Sequence, residues 1–170
     1  MQEIQQQEIK NILLSEKLQL AGIYLLAFSI PFLLKQPQLL IGSVMNFILI
    51  FSISKYGIKK MVPVLFLPSI ASLLNGVLFD HFTAYLVYLI PFIVISNLIY
   101  VLTFKYLKVK YLNVSIAALL KACFLFSCAY ILFNTIHIPE IFLTTMGLIQ
   151  LYTALIGGLF ASVLLNFKKQ

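Results

Sequence analysis

Within the apolar runs of this 170-residue chain, polar side chains are few: Asn46, Asn75, Asn97, Lys121, Thr144, Thr145, Gln150 and Thr153. Lys121 is the most informative. It lies inside the apolar run 112–134. An ammonium at the centre of a bilayer costs roughly 2.5–3.5 kcal/mol on insertion scales, so it calls for a partner or a purpose. One reading is a lysine lining a pocket, where it meets an anion or a carbonyl. The other is structural: a Lys–Asn clamp, or a lysine snorkelling its ammonium to the nearer surface. Asn97, in a run of opposite direction, falls at matching depth, so its amide oxygen is the expected acceptor for Lys121. Gln150 falls a little nearer the outside, and Asn75 ends the third run beside Asp80 and His81. The candidate ligand-binding set is therefore Asn75, Asn97, Lys121 and Gln150. Lys121 would contact a carboxylate, phosphate or carbonyl, and the amides would orient the ligand.

Catalytic chemistry has little to build on. The acids are Glu3, Glu8 and Glu16 near the N-terminus, plus Asp80 and Glu140. There is no phosphate loop, so ATP is not bound in the P-loop manner. No zinc-protease helix motif or nucleophile elbow occurs. His81 and His137 make a poor metal site. Cys123 and Cys128 are too few for a disulfide framework and lack metal spacing, so they read as inert packing residues. No cofactor is implied, and an enzyme is not expected. Tyr85 and Tyr88 read as interfacial anchors, or as the wall of an outward-opening pocket.

What must position these residues is a set of membrane helices. The chain is 62% hydrophobic and only 10% charged, whereas soluble domains are nearer half apolar and a quarter charged. Lipid is the natural solvent for such a chain, because each spanning helix hides its own backbone polar groups. Spans need about 20 mostly apolar residues. Six are expected, over 18–34, 38–54, 61–79, 84–104, 112–134 and 141–166. Lys35-Gln36-Pro37, Lys55 to Lys60, Asp80-His81, Lys105 to Tyr111 and His137 to Glu140 punctuate them. These short connections imply an all-α bundle spanning residues 18–170, with no soluble domain.

Every basic residue is Lys, and the formal net charge is +7. The lysines fall between the apolar runs, which points to membrane topology rather than nucleic acid. With the N-terminus inside, Lys10, Lys17, Lys55, Lys59, Lys60, Lys105, Lys108, Lys110, Lys168 and Lys169 are cytoplasmic, and only Lys35 is outside. Both termini are then cytoplasmic. Residues 1–17 are polar and lack the apolar core of a signal peptide. Ile4, Ile9, Ile12 and Leu13 give them a helical stripe, so a short amphipathic helix on the membrane surface is expected there. A partner-binding segment is the alternative.

Pro31, Pro63, Pro68 and Pro91 lie in or near spans, where they kink helices around a cavity or make a bend filled by neighbours. In the sixth span Ala154, Gly158 and Ser162 lie four apart, as do Gly157 and Ala161. Such stripes let helices approach closely, either within the bundle or against a separate subunit.

Three stretches resemble the substrate-binding S component of an energy-coupling factor (ECF) transporter. The first is Pro68-Ser69-Ile70-Ala71-Ser72-Leu73-Leu74-Asn75-Gly76-Val77-Leu78-Phe79, followed by Thr83, Pro91-Phe92 and Asn97. The second is Leu120-Lys121-Ala122. The third runs from Met146-Gly147-Leu148-Ile149-Gln150-Leu151 through Thr153-Ala154 to Gly157-Gly158. The resemblance covers most of the chain from about residue 18. It is to a bacterial group of unassigned substrate sometimes labelled "iron hydrogenase", although two cysteines cannot supply the thiolates of such a centre.

The resemblance implies capture of a vitamin or other micronutrient from outside the cell. It also implies transfer by toppling against a transmembrane coupling subunit, with two ATPase subunits driving the cycle. S components often meet the coupling subunit through an Ala-rich patch on the first span. Ala21, Gly22 and Ala27 only partly match that pattern, and the small stripe of the sixth span is a second candidate face. The rival readings are a ligand-free membrane scaffold and a small membrane enzyme.

Overall fold

In the computed structural model, residues 2–34, 36–76, 80–107 and 112–167 are described. All their regular structure is helical: α1 (Gln2–Leu33), α2 (Gln38–Tyr56), α3 (Ile58–Asn75), a 3-10 turn (Asp80–Tyr85), α4 (Leu86–Tyr106), α5 (Leu112–Ile136), α6 (Ile141–Thr144), a π-helical turn (Thr145–Ile149) and α7 (Gln150–Phe167). The last three form one continuous sixth span. Among the described residues, six helices are long and apolar enough to cross a membrane. The chain is an all-α, multi-pass membrane bundle.

The helix boundaries follow local chemistry. Pro37 precedes α2, where its missing N–H removes nothing from the helix. Gly57, at φ +79°, ends α2 and starts α3 without a loop. Gly76, at φ +71°, ends α3 in the left-handed conformation that glycine adopts without a Cβ penalty. That is why the third span stops at Asn75 rather than running on to 79 as expected; residues 77–79 lie outside the described residues.

Residues 2–17, expected to form a short amphipathic helix, are helical. Those residues enter α1, a single helix of 32 residues running without a break into the first span. No Gly or Pro occurs between residues 2 and 21 to interrupt it. At about 1.5 Å per residue, such a helix is longer than a bilayer core of roughly 30 Å. Its middle is fastened to the α2–α3 connection. Lys60 pairs with Glu16 at 2.6 Å, Lys55 Nζ and Tyr56 Oη donate to Gln19 Oε1 at 2.7 and 2.6 Å, and Tyr24 Oη donates to the Lys60 carbonyl. Lys55, Lys59 and Lys60 therefore cluster at the end of the bundle where the chain enters.

α2 is the central helix and α1 the most peripheral: half of the apolar stretch of α2 is buried, against 11% of that of α1. α2 lies against α7, α4 against α5, and α1 against α3. The α2–α7 seam needs the small stripe. A Cβ added to Gly157 would collide with the Ser43 carbonyl oxygen and lie 2.7 Å from the Phe47 nitrogen. At Gly158 it would meet the Tyr100 hydroxyl and Val114. Ala154, Gly157, Gly158, Ala161 and Ser162 are all buried within the bundle. The stripe is thus consumed by internal packing, which removes it as a docking face.

Candidate functional site

A cavity of about 100 Å³ lies between the helices. Toward the helix ends remote from the chain termini it is lined by Pro31 at the end of α1, Gln38 at the start of α2, Ser72 near the end of α3 and Leu86 at the start of α4. It reaches Asn46, Asn97 and Lys121 in mid-bundle, with Met146 and Gln150 contributed by the sixth span. Ser69, Ile41, Met45, Leu49, Ile93, Gly42 and Pro68 complete the wall. Pro31 and Pro68 thus border the cavity, whereas Pro63 and Pro91 sit at exposed positions.

Three of the four expected site residues converge here: Asn97, Lys121 and Gln150. Lys121 is 2% exposed. Its Nζ donates to Asn46 Oδ1 at 2.6 Å and lies 5.2 Å from the centroid of the Tyr100 ring. The expected Lys121–Asn97 bond is therefore corrected. Asn97 Nδ2 reaches instead toward the Leu65 carbonyl at 3.5 Å, a long contact to α3. Counted from the terminus-side ends of their helices (Tyr56, Tyr106 and Leu112), Asn46, Asn97 and Lys121 all lie at nearly the same depth, roughly 14 Å in at 1.5 Å per residue. Depth alone favours neither amide; the close α2–α7 packing decides for Asn46, because it holds that side chain from a third direction.

Asn46 is the centre of a polar network. Its amide nitrogen donates to the Gly42 carbonyl at 2.9 Å and to Thr153 Oγ1 at 3.2 Å. Thr153 in turn donates to the Gln150 carbonyl at 3.1 Å. Tyr100 Oη donates to the Ala154 carbonyl at 2.6 Å, which fixes the ring that faces the ammonium. The buried network links α2, α4, α5 and α7, as buried polar groups require. Asn46, Tyr100, Thr153, Ser69, Ser72 and Gln38 were not among the expected site residues. Asn46 and Thr153 were visible as polar residues in apolar runs, but Tyr100 gave no signal beyond being aromatic.

Asn75 does not line the cavity. Its amide nitrogen donates to the Pro31 carbonyl at 3.2 Å and the Phe32 carbonyl at 2.7 Å. These are carbonyls of the last turn of α1, which have no partner within the helix. Asn75 therefore ties the end of α3 to the end of α1, beside the Pro31 that borders the cavity. Tyr85 and Tyr88 do not line it either; Tyr88 is 52% exposed.

A second, apolar groove of about 330 Å³ runs between α5 and the sixth span, bordered by Leu119, Cys123, Phe126, Gly147 and Leu148. It holds no charged side chain. Cys123 is exposed there rather than packed inside, contrary to expectation. The π-helical turn lies between the two spaces, with Met146 on the polar cavity and Gly147 and Leu148 on the groove. Such turns widen a helix locally and are frequent at functional sites.

No family model, no curated protein and no solved structure matches the chain at a significant level. What fold and site define directly, among the described residues, is a six-span membrane bundle with an internal cavity that reaches a buried lysine.

Proposed function

We propose that this chain is the substrate-capture (S) subunit of an ECF-type ABC transporter in a bacterial cell membrane. It takes a micronutrient from outside for ATP-driven uptake and performs no catalysis itself. The observation that carries the reading is the cavity: it runs from helix-end residues remote from the termini to a buried lysine in mid-bundle. The lysine asymmetry of the connections supports cytoplasmic termini, and on that reading the helix-end part of the cavity faces the outside.

The resemblance in three stretches supplies the partner class: a transmembrane coupling subunit and two ATPases. The docking face would be the flank of α1. Ala21 and Gly22 are exposed there, and Leu18 and Leu25 are 75% and 66% exposed. Ala27 is fully buried and would take no part. A cavity of about 100 Å³ favours a ligand at the small end of the micronutrients, since drug-sized ligands occupy pockets of roughly 300–1,000 Å³.

The test is coexpression with an ECF coupling subunit and its ATPases, followed by affinity purification through this chain. The expected outcome is recovery of all three partners. Reproducible recovery of none, in a detergent that preserves related complexes, would remove the transporter reading.

The scaffold reading has one observation in its favour. The Lys121–Asn46–Thr153 network joins helices and needs no ligand to explain its presence. It predicts a lysine whose loss alters stability alone.

A further inference from the structure

We infer that the cavity takes a small organic monoanion, a singly charged carboxylate on a short apolar body. This inference rests on the reading of the cavity as a ligand site and narrows the ligand class.

The first observation is charge. Among the described residues lining the cavity there is one cation, Lys121, and no acid. Among the described residues, the hydrogen-bond acceptor for its ammonium is the neutral amide oxygen of Asn46. An ammonium has three donors, so one acceptor and one ring face leave it short of partners. They also leave its charge without a counter-ion. A buried charge is tolerated when an opposite charge and further hydrogen bonds accompany it. The ligand is the remaining source of that charge. A neutral carbonyl would supply a hydrogen bond but no charge. A dianion such as phosphate would bring a second charge into a space with no second cation.

The second observation is the wall. Met45, Leu49, Ile93 and Met146 line the cavity beside the amides of Asn97 and Gln150. An inorganic anion would leave those apolar surfaces uncovered. A carboxylate with a short hydrocarbon body satisfies both: its oxygens accept from Lys121 and the amide nitrogens, and its carbons cover the thioether and aliphatic side chains. Charge-assisted hydrogen bonds of this kind are about twice as strong as neutral ones. The cavity volume of about 100 Å³ limits the body to a few carbons.

The experiment titrates the purified full chain in detergent and chloride-free buffer with straight-chain monocarboxylates from acetate to hexanoate. The matching primary amides, succinate, inorganic phosphate and chloride serve as comparators. Binding is read by calorimetry and by the thermal midpoint. The expected result is saturable binding of at least one monocarboxylate. Its amide should bind about tenfold or more weakly, as loss of one charge-assisted bond implies, and the dianions and chloride should also bind more weakly. Lys121→Met should abolish the preference for acid over amide. Equal binding of acid and amide, tighter binding of a dianion or chloride, or no saturable monocarboxylate binding would each overturn the inference; all three are read on the native protein, so a misfolded variant does not matter. A chain that assembles with the coupling subunit yet prefers no monocarboxylate loses this inference alone. A chain that prefers monocarboxylates yet never assembles loses the transporter reading alone.

Discussion

Lys121 on α5 donates to Asn46 on α2 at 2.6 Å, joining two residues that are 75 positions apart in sequence. The bond does two things at once. It gives a buried ammonium its acceptor, and it holds that ammonium at the wall of a cavity that extends to the far ends of α1, α2, α3 and α4. Asn46 is itself held by Gly42 and Thr153, so the lysine is positioned by a side chain that has little freedom of its own.

Asn46→Leu removes the acceptor while keeping a similar volume. The ammonium then retains only the Tyr100 ring face. Stability should fall by about 1.5–3 kcal/mol, the range for a hydrogen bond to a charged group. Adding Lys121→Met should recover much of that loss, because no charge is then left unpaired. A double-mutant cycle in thermal or denaturant unfolding reads this coupling. Additive effects would mean that the two residues do not act as a unit.

Gly157 and Gly22 should respond in opposite ways to added bulk. At Gly157 a Cβ meets α2 backbone, which cannot step aside, so Gly157→Ala should lower stability by about 1–3 kcal/mol as overpacking does. At Gly22 a Cβ meets nothing within 4 Å. Gly22→Leu should therefore leave the thermal midpoint of the isolated chain unchanged or slightly raised. If the α1 flank meets the coupling subunit, the same substitution should abolish copurification of that subunit. Retained copurification would move the docking face elsewhere.

The lysine pattern predicts an orientation with both termini inside. Single-cysteine variants in a background lacking Cys123 and Cys128 should be labelled from inside near Lys59 and from outside near His137. The reverse pattern would turn the cavity toward the cytoplasm and remove the uptake reading.

The span pattern was legible because apolar runs of about 20 residues are set by bilayer thickness, and Gly57 falls inside the expected break between the second and third spans; Gly76 was read through, because a lone glycine in an apolar run does not announce its left-handed conformation. The convergence of Lys121, Asn97 and Gln150 on one cavity was partly legible, since depth can be counted along a helix. Which neighbour holds Lys121 was not. Asn46 and Asn97 share a depth, and the choice depends on how α2 and α7 pack, which Gly157 permits but does not announce. The role of Asn75 was misread for a related reason. Its place beside Gly76 at a helix end suits it to capping a neighbouring helix, and polarity alone does not separate a cap from a ligand contact.

The most direct measurement compares small molecules retained by wild-type protein and by Lys121→Met. Both are purified in parallel from the same expression host, and bound compounds are identified by mass spectrometry beside a thermal unfolding curve for each. Methionine keeps much of the length and removes the charge, which should ease membrane insertion by roughly 2.5–3.5 kcal/mol. The account predicts a folded variant that has lost a small anionic compound held by the wild type. A variant with altered thermal stability but the same retained compounds as wild type would contradict it and leave Lys121 as a structural clamp.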